Sequence, residues 1–258
     1  MRKSKMLEKF RSGRFARVCS MGHFLPFYVR YAAHFQFDGI WLDLEHRTMS
    51  DREVQAILAM CHAADIDCMV RPPTLERTKL YRYLEDGASG FLVPLISTPE
   101  MANALVQAAK FPPIGNRGMD GAGLDSDFGI AAWGEGMDFA GDANRETFIL
   151  PQIETLEAVA NAEAIASIEG IDGLFLGPAD LQMRIGAAAG TSMTFDKAVE
   201  TVAAACEKHN KVWGIAVGSL EQLKRYQVMG AQIVPWGGDF SLMSVLDARS
   251  KELDSAGL

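Results

Sequence analysis

Apolar residues in this chain fall in short runs that alternate with longer stretches at helical spacing, from one end of the sequence to the other. After a short basic helix within residues 1–14, Arg17–Met21 reads as a first strand and Leu25–Phe35 as its helix. Gly39–Glu45 is the second strand, followed by a helix from Ser50, a cap residue with Glu53 three positions on. Cys68–Arg71 is the third, stopped by Pro72-Pro73, with a helix over Leu75–Asp86. Gly90–Ile96 is the fourth, and Thr98-Pro-Glu opens its helix with a cap and a proline. Phe148-Ile-Leu and Gly173-Leu-Phe-Leu begin the fifth and sixth strands, and Thr155–Glu169 between them is helical. Val212–Val217 is the seventh strand, with helix Leu220–Met229. Ala231–Pro235 is the eighth, with a last helix from about Phe240. Eight such alternations over about 250 residues are the pattern of a (β/α)8 TIM barrel, a single α/β domain over 1–258. A doubly wound sheet is the alternative, but no strand is followed by a Gly-x-Gly-x-x-Gly turn. Residues 112–146 break the rhythm with glycines and acids, as an irregular lid or interface insertion would.

Composition narrows the function. The chain has 258 residues, 48% of them apolar, and a formal charge of −8. That balance argues against nucleic acid or an anionic membrane surface as partner, so an anionic small molecule needs locally placed cations. Cys19, Cys61, Cys68 and Cys206 show no C-x-x-C spacing and read as reduced core thiols of a cytoplasmic protein. The charged N-terminus has no apolar stretch behind it, and no run approaches a membrane span, so neither a signal peptide nor a membrane helix is expected.

The chemistry concentrates where strands end. Leu150-Pro-Gln-Ile-Glu154 and Gly177-Pro-Ala-Asp-Leu181 each put a carboxylate just beyond an apolar run, and parallel strands bring both acids to one mouth of the sheet. Glu154 and Asp180 there suit a hard divalent cation. Taken singly, Glu154 could be a solvated rim acid, and Asp180 a simple helix cap. Alternation puts Gln152 and Glu154 on one inward face, as it does Asp43 with Glu45 and Met69 with Arg71. Arg71, fixed by the prolines after it, either pairs with a rim acid or binds a carboxylate or developing oxyanion. Asp43 and His46 are either a proton-transfer pair or a structural acid beside a surface imidazole. Trp236-Gly-Gly-Asp239, after the eighth strand, is an anion site or, more simply, a tight turn that needs glycine. None of the eight strands ends in a lysine at the mouth, which disfavours Schiff-base chemistry.

Several motifs in order carry a resemblance. Asp43-Leu-Glu-His46, Val70-Arg-Pro-Pro73, Gly87–Pro94, Phe111-Pro-Pro-Ile-Gly-Asn-Arg-Gly118, Gln152-Ile-Glu-Thr155 and Gly170–Leu181 together resemble the HpcH/HpaI family of metal-dependent, class II pyruvate aldolases of the 4-hydroxy-2-oxoheptanedioate aldolase type. The resemblance implies a (β/α)8 barrel whose C-terminal helix is exchanged between subunits, in a homohexamer built as a trimer of dimers. It implies Mg²⁺, Mn²⁺ or Co²⁺ on Glu154 and Asp180, with a 2-oxo acid such as pyruvate on the metal. The substrate would be lined by Gln152, Gly177 and Pro178 and by the backbone amides around Ala179 and Asp180. Arg71 would steady the enolate oxygen, and His46 with Asp43 would move protons by way of a water on the metal. Three departures concern the aldehyde side. Arg47 stands where the family has a small residue, Glu85-Asp86 leaves open which acid reaches a neighbouring subunit's site, and Met119–Gly123 leaves the family pattern.

The expected activity is therefore reversible aldol cleavage of 4-hydroxy-2-oxo acids to a 2-oxo acid and an aldehyde. One alternative turns the same enolate on an acyl-CoA, or on a phosphoenol or phosphonate substrate. Such a site would need a basic CoA patch or a phosphate clamp, of which Gly237-Gly238 is the only hint. The other alternative is a barrel that binds a small acid without turnover; it would have no use for Asp43, His46 and Arg71 around the two carboxylates.

Overall fold

A computed structural model describes residues 1–130 and 132–258. Helix α1 (Lys5–Arg11) is followed by β1 (Val18–Met21), α2 (Pro26–His34), β2 (Gly39–Asp43) and α3 (Asp51–Ala63). Then come β3 (Asp67–Arg71), α4 (Arg77–Glu85), β4 (Gly90–Val93) and α5 (Pro99–Ala109). A 3-10 turn (Leu124–Ser126) and α6 (Phe139–Glu146) precede β5 (Phe148–Ile153), α7 (Leu156–Ala160), α8 (Ala162–Ala166) and β6 (Gly173–Leu176). The chain ends with α9 (Pro178–Ala187), α10 (Phe195–Lys208), β7 (Val212–Ile215), α11 (Leu220–Val228) and α12 (Ser241–Ser255).

The seven strands pair in chain order, all parallel, into a curled TIM-barrel-like sheet. An eighth regular strand does not form. Instead Ile233 bridges Gly214 on one side and Ala16 on the other, and Trp236 N–H donates to Val18 O at 2.8 Å. Pro235 has no N–H to give a ladder, and Gly237 at φ +80° turns the chain away, so closure rests on isolated bridges.

Strand alternation separates two apolar layers. Val18, Met69, Leu92, Phe148, Leu150, Phe175, Val212 and Ile233 fill the lumen, and Met6 and Leu7 of α1 close it from the base. The opposite faces, among them Ile40, Leu42, Val70, Ile149, Leu174 and Ile215, pack under the surrounding helices. Because Met69 and Leu150 point inward, so do Arg71 and Gln152 two residues later.

The expected caps are present. Ser50 and Glu53 form a capping box at α3, and Thr98 Oγ1 accepts from Met101 N–H at α5. Two expectations change. The fourth strand stops at Val93, since Pro94 cannot donate and Leu95 takes a left-handed conformation (φ +58°). The helix expected over 155–169 is split at Asn161, whose side-chain amide donates to Ser97 O at 2.8 Å instead of continuing the helix. Within 112–146, of which Ala131 lies outside the described residues, α6 packs at the base of the barrel. Arg117 pairs there with buried Asp125 at 2.6 Å, and Glu146 accepts from Ser4 N–H at 2.8 Å, which ties α6 to α1. Among the described residues no helix is long and apolar enough to cross a membrane, and all four cysteines are buried thiols.

Candidate active site

The C-terminal ends of β2, β3, β5 and β6 bring most of the expected residues together. Glu154 follows β5 and is 2% exposed. Its Oε1 accepts from Leu95 N–H at 2.7 Å, and its Oε2 accepts from Gln152 Nε2. The left-handed turn at Leu95 (φ +58°) aims that N–H at the carboxylate. Burial pushes the Glu154 carboxyl above its ordinary range, and the charges of Asp180 and Glu45 push the same way against the two hydrogen bonds. Gln152 Oε1, also buried, has no hydrogen-bond partner among the described residues.

Gly177 explains how this pocket stays open. A Cβ there would lie 2.5 Å from Glu154 Oε2 and 2.7 Å from Gln152 Nε2. Pro178 begins α9 with no side chain capping it, so the first-turn amides around Ala179 and Asp180 remain available to an anion. Asp180 sits in that turn, half-exposed, and Arg184 Nη1 donates to both Asp180 Oδ1 and Glu154 O at 3.0 Å.

Arg71 is paired in register with Asp43 across β2 and β3. Its Nε donates to Asp43 Oδ1 at 2.9 Å and its Nη2 lies 2.8 Å from Asp43 Oδ2, a bidentate clamp. Its guanidinium also stacks on Trp41, 4.8 Å from the ring centroid. Burial alone would raise the Asp43 carboxyl, but the Arg71 hydrogen bond and charge outweigh it and hold Asp43 below its ordinary range.

Asp43 is thus committed to Arg71 and reaches His46 only at its backbone N–H, at 3.3 Å. The His46 imidazole lies instead 3.5 Å from Glu45 Oε2. The expected contact between the Asp43 carboxylate and the imidazole ring is not made, because the guanidinium occupies that carboxylate. Glu45 is the residue that sequence reasoning passed over. Arg71 Nη1 is 3.2 Å from its Oε2 without the alignment of a hydrogen bond, so that buried oxygen has no hydrogen-bond partner. The signal was present, since alternation places Glu45 on the inward face with Asp43.

A second histidine setting also escaped notice. Asp239 Oδ2 accepts from Gly22 N–H (2.9 Å), His23 N–H (2.9 Å) and His23 Nδ1 (2.8 Å). Trp236–Asp239 is a turn whose acid accepts from the Gly22 and His23 amides and so pins the β1 loop to the closing segment. Lys110 and Lys211 donate to Asn144 O (2.9 Å) and Ile171 O (2.6 Å) at the base, away from Glu154 and Asp180.

The donor set fits a hard divalent cation. Glu154 and Asp180 supply carboxylate oxygens, the unpartnered Gln152 Oε1 faces the same space, and Gly177 keeps it clear. No group of three or more His, Cys, Asp or Glu converges on a common point among the described residues.

A model of the family described as HpcH/HpaI aldolase/citrate lyase matches residues 22–246. A hydroxypyruvate/pyruvate aldolase of Deinococcus radiodurans is 31% identical over 220 residues, 85% of this chain and 78% of that protein. A 5-keto-4-deoxy-D-glucarate aldolase of Klebsiella pneumoniae is 33% identical over 207 residues, 80% of this chain and 79% of that protein. Among solved structures, an HpcH/HpaI aldolase from Desulfitobacterium hafniense superposes with a TM-score of 0.85 at 28% identity, covering 95% of both chains.

Proposed function

The chain belongs to the HpcH/HpaI aldolase/citrate lyase family, and from that premise we propose that it is a divalent-metal-dependent aldolase. It cleaves 4-hydroxy-2-oxo acids to pyruvate or a similar 2-oxo acid and an aldehyde, and runs the condensation in reverse. The observation that carries this reading is the Glu154–Gln152 pair, buried yet incompletely satisfied, in a space that Gly177 keeps free of any side chain. Glu154 and Asp180 would hold Mg²⁺, Mn²⁺ or Co²⁺, which when bound supplies a Lewis acid for the carbonyl and carboxylate oxygens of the 2-oxo acid.

The chain's own residues divide the remaining work. The α9 amides at Ala179 and Asp180, beside Gly177 and Pro178, bind the substrate carboxylate. Arg71 faces the 2-oxo oxygen and stabilises the negative charge that develops as the C3–C4 bond breaks. Its clamp on Asp43 and its stack on Trp41 orient it beforehand, so little reorganisation is needed during reaction. His46 takes the C4 hydroxyl proton as the aldehyde leaves, and the enolate carbon is then protonated to give the 2-oxo acid. With Asp43 held by Arg71, Asp43 acts on His46 through its backbone while Glu45 faces the ring.

Assembly belongs to the same reading. Helix α12 has no buried residue and exposes Leu242, Met243, Val245, Leu246 and Leu253, as a helix exchanged with a second subunit of a hexamer would before it docks. Retro-aldol turnover of a 4-hydroxy-2-oxo acid, before and after exhaustive chelation, tests the function. Activity should vanish with chelator and return with Mg²⁺, Mn²⁺ or Co²⁺. Undiminished turnover in chelator, or covalent trapping of substrate by borohydride, would refute a metal-dependent mechanism.

A further inference from the structure

An open cleft of about 410 Å3 runs between the ends of β1, β2 and β7 and the closing segment, lined by Ser20, Trp41, Ala216, Trp236 and Phe240. Trp41 forms its wall toward Arg71, whose guanidinium stacks on that ring, so the cleft adjoins the position assigned to the reacting carbonyl. Arg47 stacks on Phe240, 4.8 Å from the ring centroid, and its Nη1 donates to His46 O at 2.6 Å. Its stem lies against Gly22, where a Cβ would come 2.7 Å from Arg47 Cγ, so only glycine there leaves the arginine its seat.

Arg47 differs in its charge environment from Arg71, Arg117 and Arg184, and in this it is like Arg17, which stacks on Phe37 with no carboxylate partner among the described residues. Arg71, Arg117 and Arg184 each hold a carboxylate, whereas Arg47 has no carboxylate partner among the described residues. The acids nearby are committed elsewhere. Asp239 is taken by Gly22, His23 and its own neighbour Phe240, and Glu45 stands between Arg71 and the His46 ring. In a chain with a net charge of −8, a half-buried guanidinium with unused donors is a place for an external anion. The Phe240 stack limits its rotamers, which lowers the cost of ordering it on a ligand.

We propose that Arg47 is the anion-binding end of the acceptor site, so that the enzyme selects aldehydes carrying a carboxylate or phosphate over neutral aldehydes of the same length. The proposal rests on the aldolase reading above and adds the chemistry of the second substrate. The acceptor carbonyl lies toward Arg71 and His46, its chain lies against Trp41 and Phe240, and its anionic end meets the Arg47 donors left free by His46 O. The new bond joins C3 of the enolate to the aldehyde carbon, and the aldehyde oxygen takes up one proton. Arg47 touches neither atom and acts on binding alone.

Two measurements on the full chain with its metal test this. The first compares pyruvate condensation with succinic semialdehyde against butanal, and with glyceraldehyde 3-phosphate against glyceraldehyde. The wild type should favour the anionic member by about tenfold or more in kcat/KM, the value of one charge-assisted contact, and the favoured pair identifies carboxylate or phosphate. Arg47→Met should erase that preference through KM, with kcat/KM for the neutral aldehydes changed less than about twofold. Gly22→Ala, which displaces the arginine without removing it, should shift the preference the same way. The second measurement is calorimetric titration with the anionic aldehyde alone, which needs no turnover; binding should weaken about tenfold or more in Arg47→Met. Pyruvate C3 proton exchange reports on the aldolase reading separately. Its absence would remove that reading, while the titration would still decide whether Arg47 binds the anion. Equal use of anionic and neutral aldehydes by the wild type, or titrations indistinguishable between wild type and Arg47→Met, would overturn the proposal.

Discussion

At the base of the barrel the Asp67 carboxylate, 0% exposed, accepts from Ser4 Oγ at 2.6 Å and Met6 N–H at 2.8 Å and pairs with Arg2. At the mouth the Glu154 carboxylate, 2% exposed, has one backbone N–H and one side-chain amide, no cation among its hydrogen-bond partners, and further carboxylates near enough to raise its proton affinity. The two acids are almost equally removed from water and are treated in opposite ways. Asp67 is neutralised and fully engaged, because its work is to dock α1 under the lumen. Glu154 is left short of partners, as are Gln152 Oε1, Glu45 Oε2 and Trp41 Nε1 around it. Buried polar groups are ordinarily satisfied; Arg117 Nε, Thr147 Oγ1 and His209 Nε2 are exceptions elsewhere, but three such atoms gathered around one buried carboxylate support an external partner at the mouth.

Substitution at both ends should break this comparison if it is wrong, and the largest effects are expected here. Glu154→Gln removes a desolvated charge that nothing in the protein neutralises. Turnover should fall on the order of a thousandfold or more, while the denaturation midpoint of metal-free protein stays level or rises. Asp67→Asn should do the reverse, costing about 3 kcal/mol by orphaning Arg2 and the α1 amides, with kcat of the folded fraction close to wild type. The check is urea denaturation and turnover on both variants. A Glu154→Gln protein that unfolds easily, or an Asp67→Asn protein that is stable but inactive, would mean that the two ends do not divide stability and chemistry in this way.

The base and the walls were readable from the sequence to a greater depth than the mouth. Strand positions and caps such as Ser50 and Thr98 depend on residues close in sequence, which periodicity and spacing report directly. The inward alternation also placed Glu154, Gln152 and Arg71 correctly, because one lumen residue fixes the orientation of its strand. Contacts between distant loops were not accessible that way. Asp239 meets His23 from the far end of the chain, and Asn161 breaks a helix for the sake of Ser97 O. The same limit explains Asp43. Spacing offered His46 as its partner, while the partner the fold supplies is Arg71 on the next strand, which only register reveals.

Two further tests sharpen the assignment of roles at the mouth. Arg71→Lys keeps the charge and loses the planar fork that spans Asp43 and Glu45, so kcat should fall about a hundredfold or more with a smaller change in KM. A normal kcat with raised KM would make Arg71 a binding residue only. His46→Ala should cost about a hundredfold in aldol cleavage. In double-mutant cycles Glu45→Gln should be strongly non-additive with His46→Ala, whereas Asp43→Asn should couple to Arg71→Lys. Additivity between His46 and Glu45, with coupling of His46 to Asp43 instead, would restore the pair that spacing alone suggested.

The smallest expected effect concerns stability and acid. Asp43 belongs to the mouth, yet its clamp by Arg71 resembles the arrangement at the base, so it should carry stability as Asp67 does. Its carboxyl is held below the ordinary range in the folded protein: burial raises it, and the Arg71 hydrogen bond and charge lower it further. A group with a depressed folded value binds fewer protons folded than unfolded. Its stabilisation is therefore fully present above the unfolded value of about 3.9 and is lost as the pH falls through the lower folded value. Asp43→Asn should accordingly cost on the order of 2 kcal/mol at neutral pH, the worth of a charge-assisted contact, and progressively less as acid protonates the wild-type carboxyl. Denaturant midpoints of the two proteins from neutral pH down to about 3 measure this. Curves that stay a constant distance apart would show that the clamp adds no charge-dependent stability, and Asp43 would then serve only to aim Arg71.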